Sequence, residues 1–276
     1  MIANFIFFLK IVRVFKRYNI LILIEKNIRF KLLFRIFTFL LAPFTFVQAK
    51  GQDSDGIRIS SALNELGPSF IKLGQLISTR PDIIGNEIAE DMAMLRDNLP
   101  PFPKNEAIEI IEDQFGRKID DIFLNFSEPI AAASIAQVHF AEINDNGRAT
   151  PVAVKILRPK IIETIDEEMN RLDWLTGFLE NFSELKRLQL NSVIKKAKEI
   201  IRFELDLRYE AAAASELKEN TKNDHSFYVP KIYWENVTKK VLTIERISGT
   251  PADNIELLRT NNINLRKIAD QLIINF

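Results

Sequence analysis

The chain has 276 residues, 47% of them apolar, and its 37 basic residues balance its 37 acidic ones. This zero net charge argues against a general nucleic-acid-binding protein. There is no cysteine, and the only histidines are His139 and His225, which excludes disulfides, thiolate metal sites and histidine-rich metal sites. A bound metal would therefore be a hard ion such as Mg²⁺, held by carboxylates.

Residues 1–47 form a basic and aromatic leader. They contain eight Lys or Arg, a single acid, Glu25, and ten of the 21 phenylalanines. Charges at Arg29, Lys31 and Arg35 interrupt the apolar run, so no membrane-spanning helix is predicted. The pattern favours one or two amphipathic helices lying on an anionic membrane surface. The alternative is helices that pack on the protein's own core with their lysines extended to solvent.

The next part of the chain, 57–125, is predicted to be helical. Gly67 and Pro68 separate its first two helices, and an extended proline-rich link over 99–103 precedes the last, which ends at Gly116. Thr79 to Asp82 is predicted to be a turn. The predicted helices are 57–66, 69–78, 86–96 and 104–115.

Beyond residue 125 the apolar period changes from that of helices to that of strands. A hairpin is predicted from two strands, 134–143 and 151–157, joined by the turn signal at 144–147. Later elements are predicted helices at 160–180 and 187–219, strands near 228–235 and 240–247, and helices from there to the end. This order indicates an α+β fold rather than a doubly wound sheet.

Lys155 lies inside the second predicted strand. Side chains alternate along a strand, so Val152 and Val154 share one face, while Ala153 and Lys155 share the other. Such a lysine either extends to solvent or meets a phosphate and a carboxylate, with the small alanine making room for a flat base.

A phosphate-covering loop would precede the first strand of the hairpin. The chain contains no glycine-rich phosphate motif, and the segment in this place, Pro129 to Ser134, carries three alanines. Alanine permits a tight loop but fewer positive-φ conformations than glycine. By itself the segment is typical of a helical turn or a buried linker.

An acidic cluster, Glu204, Asp206 and Glu210, falls on the predicted 187–219 helix. Asp206 and Glu210 are four residues apart and are predicted to face each other, at a small cost in helix stability unless cations approach. Lys155 is a candidate partner for Glu210. The alternative is a solvated acidic face on which Glu204 pairs with Arg208.

The ordered set of motifs resembles the UbiB family of atypical kinases along the whole chain. The run from Leu66 to Asp82, with Lys72, Gly74 and Gln75, resembles that family's KxGQ signature. The alanine segment, the Lys155 strand, the acidic cluster and the strand from Val241 to Glu245 are similar to its alanine-rich loop, nucleotide lysine, ExD element with helix glutamate, and hinge.

The resemblance implies a role for each matched residue. Lys155 would contact ATP phosphates and pair with Glu210, and Ala153 would make room for the base. The backbone from Glu245 to Ile247 would meet the adenine. The residues expected to cover the nucleotide are Ala131, Ala132, Ala133 and Ser134. The regulatory residues would be Lys72 and Gln75, partnered by Glu204 and Asp206.

The resemblance also implies a fold and an activity. The fold would be a protein-kinase-like N-lobe, an antiparallel sheet with a long helix, behind a helical KxGQ extension. The activity would be that of an atypical kinase or ATPase supporting ubiquinone biosynthesis, with ATP and Mg²⁺ as cofactors. The implied location is peripheral, on the cytoplasmic face of the inner membrane, and an isoprenoid lipid is an implied partner.

The catalytic half of a kinase is not found in the sequence. Phosphoryl transfer needs an HxD…N loop and a metal-binding DFG-type aspartate after the hinge. The last histidine, His225, precedes the predicted hinge strand, Val241 to Glu245. No catalytic residue or metal ligand is therefore assigned. The predicted domains are a leader over 1–47, an extension over 57–125, an N-lobe over 126–249 and the start of a truncated C-lobe over 250–276.

Three functional readings stay open from the sequence. In the first, the chain is the ATP-binding portion of a kinase whose C-terminal half is encoded separately or lost. Alternatively it is a non-catalytic nucleotide-binding or lipid-binding remnant. The third reading is a membrane-surface scaffold that keeps kinase-like motifs.

Overall fold

The computed structural model describes residues 2–27, 39, 53–93, 99–187, 189–224, 227–252 and 254–275. Most of the predicted leader beyond residue 27, the end of the predicted 86–96 helix and His225 lie outside this part. The described chain forms two compact units that alternate along the sequence. The first unit comprises 1–101, 132–136 and 158–203, and the second comprises 102–131, 137–157 and 204–276.

The first unit is helical. Its aromatic and aliphatic core includes Phe7, Phe70 and Ile165, all nearly inaccessible to solvent. The helices are α1 Ile2–Arg17, α2 Ile20–Asn27, α3 Asp55–Leu66, α4 Pro68–Ser78, α5 Pro81–Ile84, α6 Asn86–Ala93, α8 Ile161–Leu179, α9 Ser183–Lys186 and α10 Leu190–Glu204, whose last residue is assigned to the second unit.

Local signals place the boundary between α3 and α4 where the sequence predicts it. Ser54 caps α3, since its hydroxyl accepts a hydrogen bond from the Ile57 N–H. Gly67 then adopts a φ of 118°, a value that favours glycine, and Pro68 occupies the first position of α4. The predicted turn at Thr79 to Asp82 is instead partly helical, because Pro81 begins the short helix α5.

Helix α1 belongs to the core of the first unit. Phe7, Ile11 and Val14 are buried, and α1 packs against α3 and α8. The Phe7 ring lies 6.0 Å from that of Phe70 on α4. Helix α1, the first part of the predicted leader, therefore packs on the core of its own unit, as the alternative interpretation predicted. No helix in the described ranges is both long and apolar enough to cross a membrane.

The second unit combines a sheet with helices. Four strands lie in the order β1-β2-β3-β4, so sequence neighbours are also spatial neighbours. The elements are α7 Lys104–Phe115, β1 Pro129–Ala132, β2 Ala136–Asp145, β3 Arg148–Leu157, α11 Leu207–Asn220, β4 Val241–Glu245, α12 Ile255–Thr260 and α13 Leu265–Asn275, with short 3₁₀ turns at Ile119–Asp121 and Trp234–Asn236. The last residue of β1, Ala132, and the first of β2, Ala136, are assigned to the first unit.

One face of the sheet carries the core of the second unit. On β3, Val152, Val154 and Ile156 are fully buried, and they pack with residues of α7, including Ile111. Strand β4 pairs antiparallel with β3, with Val154 opposite Thr243. The α+β class and the antiparallel sheet predicted from the sequence are therefore confirmed.

A buried polar chain fixes the segment before α7 onto this core face. The side chain of Gln137 accepts a hydrogen bond from the Phe102 N–H and donates to the Phe102 carbonyl. The same amide lies 2.8 Å from His139 Nε2, and His139 Nδ1 lies 2.9 Å from the Ser127 carbonyl. Since a carbonyl only accepts, Nδ1 carries the proton and Nε2 accepts from Gln137. Burial lowers the pKa of His139.

Two predictions of secondary structure are wrong. The 187–219 helix is interrupted, because α10 ends at Glu204 and α11 begins at Leu207. The strand near 228–235 is reduced to a single bridge between Ile232 and Ile244. Pro230 has no N–H to contribute to a ladder, which limits the pairing on that side.

Candidate functional site

The face of β3 opposite the core is partly open and holds two of the predicted nucleotide residues, Ala153 and Lys155. Ala153 lies opposite Ile244, and Lys155 lies opposite Leu242. Directly opposed residues share a face, so a small, a cationic and two aliphatic side chains form one surface, here called the Lys155 face. Its composition suits a flat apolar base beside an anionic group.

Lys155 meets the helix carboxylate predicted for it. The ammonium lies 2.9 Å from Oε1 and 2.7 Å from Oε2 of Glu210. Glu210 is in the first turn of α11, where a carboxylate is favoured by the exposed backbone N–H groups. The side chains are 31% and 49% accessible, so the pair is held in place and still open to an incoming anion.

The break before α11 changes the predicted arrangement of the acidic cluster. Asp206 is the N-cap of α11 and its carboxylate accepts from the Arg208 N–H. The same carboxylate forms two hydrogen bonds with the Arg208 guanidinium. Asp206 therefore does not face Glu210 along one helix, because a short side chain that bonds nearby backbone favours a cap over a helix interior.

These contacts also settle the partner of Arg208. The sequence offered a Glu204–Arg208 pair on a solvated face, whereas the guanidinium is bound to Asp206. That hydrogen bond lowers the pKa of Asp206, so the carboxylate stays ionised under neutral conditions. Glu204, the last residue of α10, is exposed.

The residues of the predicted hinge lie at the end of β4. The Glu245 carboxylate accepts hydrogen bonds from the Tyr228 hydroxyl and from the Lys231 N–H. The bond from Tyr228 is the main cause that lowers the pKa of Glu245. Ile247, two residues beyond the strand, is exposed. Tyr228 follows a mostly polar stretch of sequence, and no motif in the sequence singles it out.

The other predicted residues belong to the first unit or to its boundary. Lys72 and Gln75 are on α4, where Lys72 is buried. Ala131 is on β1 and belongs to the second unit, whereas Ala132, Ala133 and Ser134 belong to the first. The predicted places of these residues over a nucleotide, and of Lys72 and Gln75 against Glu204 and Asp206, stay predictions.

The alanine segment is neither a helical turn nor an open loop. The Ala133 N–H donates to the Ala136 carbonyl at 2.7 Å, which closes a two-residue turn between β1 and β2. Arg158 holds this turn, donating from Nε to the Ala133 carbonyl and from its terminal nitrogens to the Pro100 and Leu99 carbonyls. Sequence reasoning missed Arg158, because nothing local marks an arginine that binds distant carbonyls.

Metal ligands are not grouped in the described part of the chain. Among those residues, no three or more His, Asp or Glu side chains are placed to hold a metal ion. Mg²⁺, when bound with a nucleotide, neutralises phosphate charge, but the described residues offer it no assigned ligand.

A sheet whose strand lysine pairs with a helix glutamate defines a kinase-like N-lobe. A family model described as ABC1 atypical kinase-like domain matches residues 94–276. The chain therefore belongs to the ABC1 atypical kinase-like family. This match and the curated relatives confirm the resemblance to UbiB proteins inferred from the motifs.

The curated relatives are named Probable protein kinase UbiB. The protein of Marinobacter nauticus is 41% identical over 236 residues, 84% of this chain and 42% of the relative. That of Cellvibrio japonicus is 37% identical over 269 residues, 97% of this chain and 47% of the relative. A Pseudomonas aeruginosa protein is 40% identical over 218 residues, 78% of this chain and 40% of the relative. The chain thus spans less than half the length of these relatives.

Proposed function

We propose that this chain binds ATP on the Lys155 face and is the nucleotide-binding portion of a UbiB-like atypical kinase or ATPase that supports ubiquinone biosynthesis. The observation that carries the proposal is the ion pair between Lys155 and Glu210. The pair holds the Lys155 ammonium in a fixed direction on a half-open face.

The rest of the Lys155 face supports the same ligand. Ala153 and Ile244 are opposed on this face and partly exposed, so they offer apolar contact for a purine, whereas Leu242 is buried. Lys155 supplies the positive charge for phosphate oxygens. The sequence contains no HxD…N or DFG-type motif, so the proposal assigns these residues binding and positioning and assigns no general base.

Titration with a fluorescent ATP analogue, displaced by ATP, tests the proposal on the full chain in mild detergent. Lys155→Ala removes the ammonium, and we expect the dissociation constant to rise about tenfold or more, equal to about 1.4 kcal/mol. Glu210→Ala leaves the lysine without its orienting partner, and we expect a comparable rise.

Lys118→Ala is the matched control. Lys118 also pairs with a glutamate, Glu112, at 3.2 Å, but that pair lies at the end of α7, which packs on the core side of the sheet. The control should bind like the unmodified protein. Equal affinities for the unmodified chain and Lys155→Ala would overturn the proposal, and strongly unequal effects of Lys155→Ala and Glu210→Ala would contradict the pairing.

Release of inorganic phosphate separates an active portion from a non-catalytic binding remnant. An ATPase would release phosphate from ATP at a rate that Lys155→Ala reduces. Lys155-dependent binding without phosphate release would favour the remnant.

A second proposed property is peripheral attachment to an anionic membrane surface through α1, on the cytoplasmic face of the inner membrane. The supporting observation is the exposure of apolar residues in the first turns of α1: Ile2, Phe5 and Ile6 are 79%, 49% and 61% exposed. Two basic residues follow on the same helix: Arg13 is exposed, and Lys10 is exposed although its ammonium donates to the Leu66 carbonyl. Apolar side chains next to cations suit insertion among anionic headgroups.

Flotation with liposomes tests this attachment. Deleting 1–47 would also remove core residues such as Phe7, so the better variant is Ile6→Glu, which changes an exposed position. We expect it to reduce binding to anionic vesicles, whereas Ile83→Glu, at an exposed position on α5, should not. Equal flotation of Ile6→Glu and the unmodified protein would defeat the idea.

A further inference from the structure

The end of β4 is held by a group of contacts that the proposed ATP site does not use. The Tyr228 hydroxyl lies 2.7 and 2.6 Å from the two carboxylate oxygens of Glu245. The Lys231 N–H donates to the same carboxylate at 3.0 Å, and the Glu245 N–H donates back to the Lys231 carbonyl at 2.8 Å. Two segments are thus joined by a reciprocal backbone and side-chain pair.

The Tyr228 ring is anchored from the helix that carries Glu210. The ammonium of Lys218, on α11, lies 5.8 Å from the centre of the ring, a distance at which a cation is attracted to an aromatic face. Helix α11 therefore contributes Glu210 to Lys155 near its start and Lys218 to Tyr228 near its end. One helix supports both the phosphate end of the Lys155 face and the hinge.

These contacts decide which backbone groups are left for a ligand. The Glu245 N–H is bound to Lys231, and the Arg246 N–H donates to the Pro151 carbonyl at 3.3 Å. Within the described chain, the first hinge N–H after β4 with no backbone carbonyl as its partner is that of Ile247. The register of the base would therefore depend on the backbone just beyond Glu245.

We propose that Tyr228 is a positioning residue for base recognition: by gripping the Glu245 carboxylate, it holds the backbone of 245–247 so that the Ile247 N–H is presented to the nucleotide base. A fixed N–H group favours adenine, because it can donate a hydrogen bond to the ring N1. It disfavours guanine, because the guanine N1 carries a hydrogen and cannot accept. This inference rests on the proposed function and adds base selectivity to it.

Tyr228 is suited to a positioning role because it contributes little to the core. Its side chain is 64% exposed, and a hydrogen bond at the surface competes with water. Its removal should therefore leave the fold intact while loosening the hinge. Selectivity between bases, and not stability, is the quantity expected to change.

The test compares ATP, GTP and tripolyphosphate binding to the full chain. Tyr228→Phe keeps the ring over Lys218 and removes only the hydroxyl. We expect the preference for ATP over GTP to fall roughly threefold to tenfold, with tripolyphosphate affinity unchanged, because Lys155 and Glu210 are untouched. Tyr233→Phe is the matched control, since it removes a phenol hydroxyl that is outside the grip on Glu245.

A second pair of variants tests the route through Glu245. Glu245→Gln keeps an acceptor oxygen for Tyr228 and should retain most of the preference for ATP, whereas Glu245→Ala should lose it. Adding Tyr228→Phe to Glu245→Ala should cause no further loss, because the two side chains act as one unit.

The outcomes separate this inference from the proposed function. If the unmodified chain binds ATP in a Lys155-dependent manner but Tyr228→Phe keeps its ATP preference, the inference fails alone. If tripolyphosphate affinity falls as much as ATP affinity in Tyr228→Phe, Tyr228 is only structural and the inference also fails. If ATP binding does not depend on Lys155, both fail together.

Discussion

The two faces of β3 differ in burial, although their residues alternate along one strand. Val152, Val154 and Ile156 are fully buried against α7, so packing determines how much stability their substitution costs. Ala153 and Lys155 lie on the half-open face, where Lys155 is held by an exposed carboxylate. Stability is therefore concentrated on one face and the candidate chemistry on the other, and neighbouring positions can be changed to test one without the other.

The largest effect is expected on the core face from Ile156→Ala. Removing a fully buried aliphatic side chain loses transfer free energy and leaves a cavity, a cost of about 2–5 kcal/mol. Chemical denaturation followed by circular dichroism measures the loss. A cost below that of the neighbouring Lys155→Met change would contradict the assignment of the two faces.

A pH-dependent effect is expected from His139, which lies on the core face of β2. Burial lowers its pKa in the folded state below the ordinary value of 6.5, so below that pH the unfolded chain takes up a proton that the folded chain does not. Stability is then complete above pH 6.5 and decreases as the pH falls below it. His139→Gln should flatten this slope in denaturation midpoints measured from pH 5.5 to 7.5, and an unchanged slope would show that other groups cause it.

A gain in stability is expected from Thr243→Val on the same core face. The Thr243 hydroxyl is fully buried and has no hydrogen-bond partner within the described residues, and an unpaired buried hydroxyl costs about 1 kcal/mol or more. Valine has the same shape without that cost. Thr176→Val is the control, since its hydroxyl donates to the Leu172 carbonyl and its removal should bring no such gain. Destabilisation by Thr243→Val would contradict the prediction.

The smallest effect on stability is expected on the Lys155 face. Lys155→Met keeps the aliphatic stem and removes an ion pair that is partly exposed on both sides, and such pairs contribute about 0–1 kcal/mol. The denaturation midpoint should hardly move, although the dissociation constant for the nucleotide should rise about tenfold or more, as for Lys155→Ala. A shift as large as that of Ile156→Ala would show that the pair serves the fold.

Local sequence signals predicted most elements because each rests on neighbouring residues. Gly67 with Pro68 marks the junction of α3 and α4, and Gly116 ends α7 in a left-handed conformation. The alternation around Lys155 predicted both faces of β3. The contact of Lys155 with Glu210 was predicted by analogy with the strand-lysine to helix-glutamate pair of kinases and not by local signals, because 55 positions separate the two residues.

The sequence by itself determined the α+β class, the position of β3 and the two residues that carry the proposed site, since periodicity and motif order are local properties. Only the tertiary structure decided that α11 starts at an Asp206 cap, that Arg158 holds the alanine turn, and that Tyr228 grips Glu245. Each of these depends on hydrogen bonds to groups that side-chain periodicity does not record. The strand face that holds Lys155 could therefore be predicted from the sequence, and the contacts that position its neighbours could not.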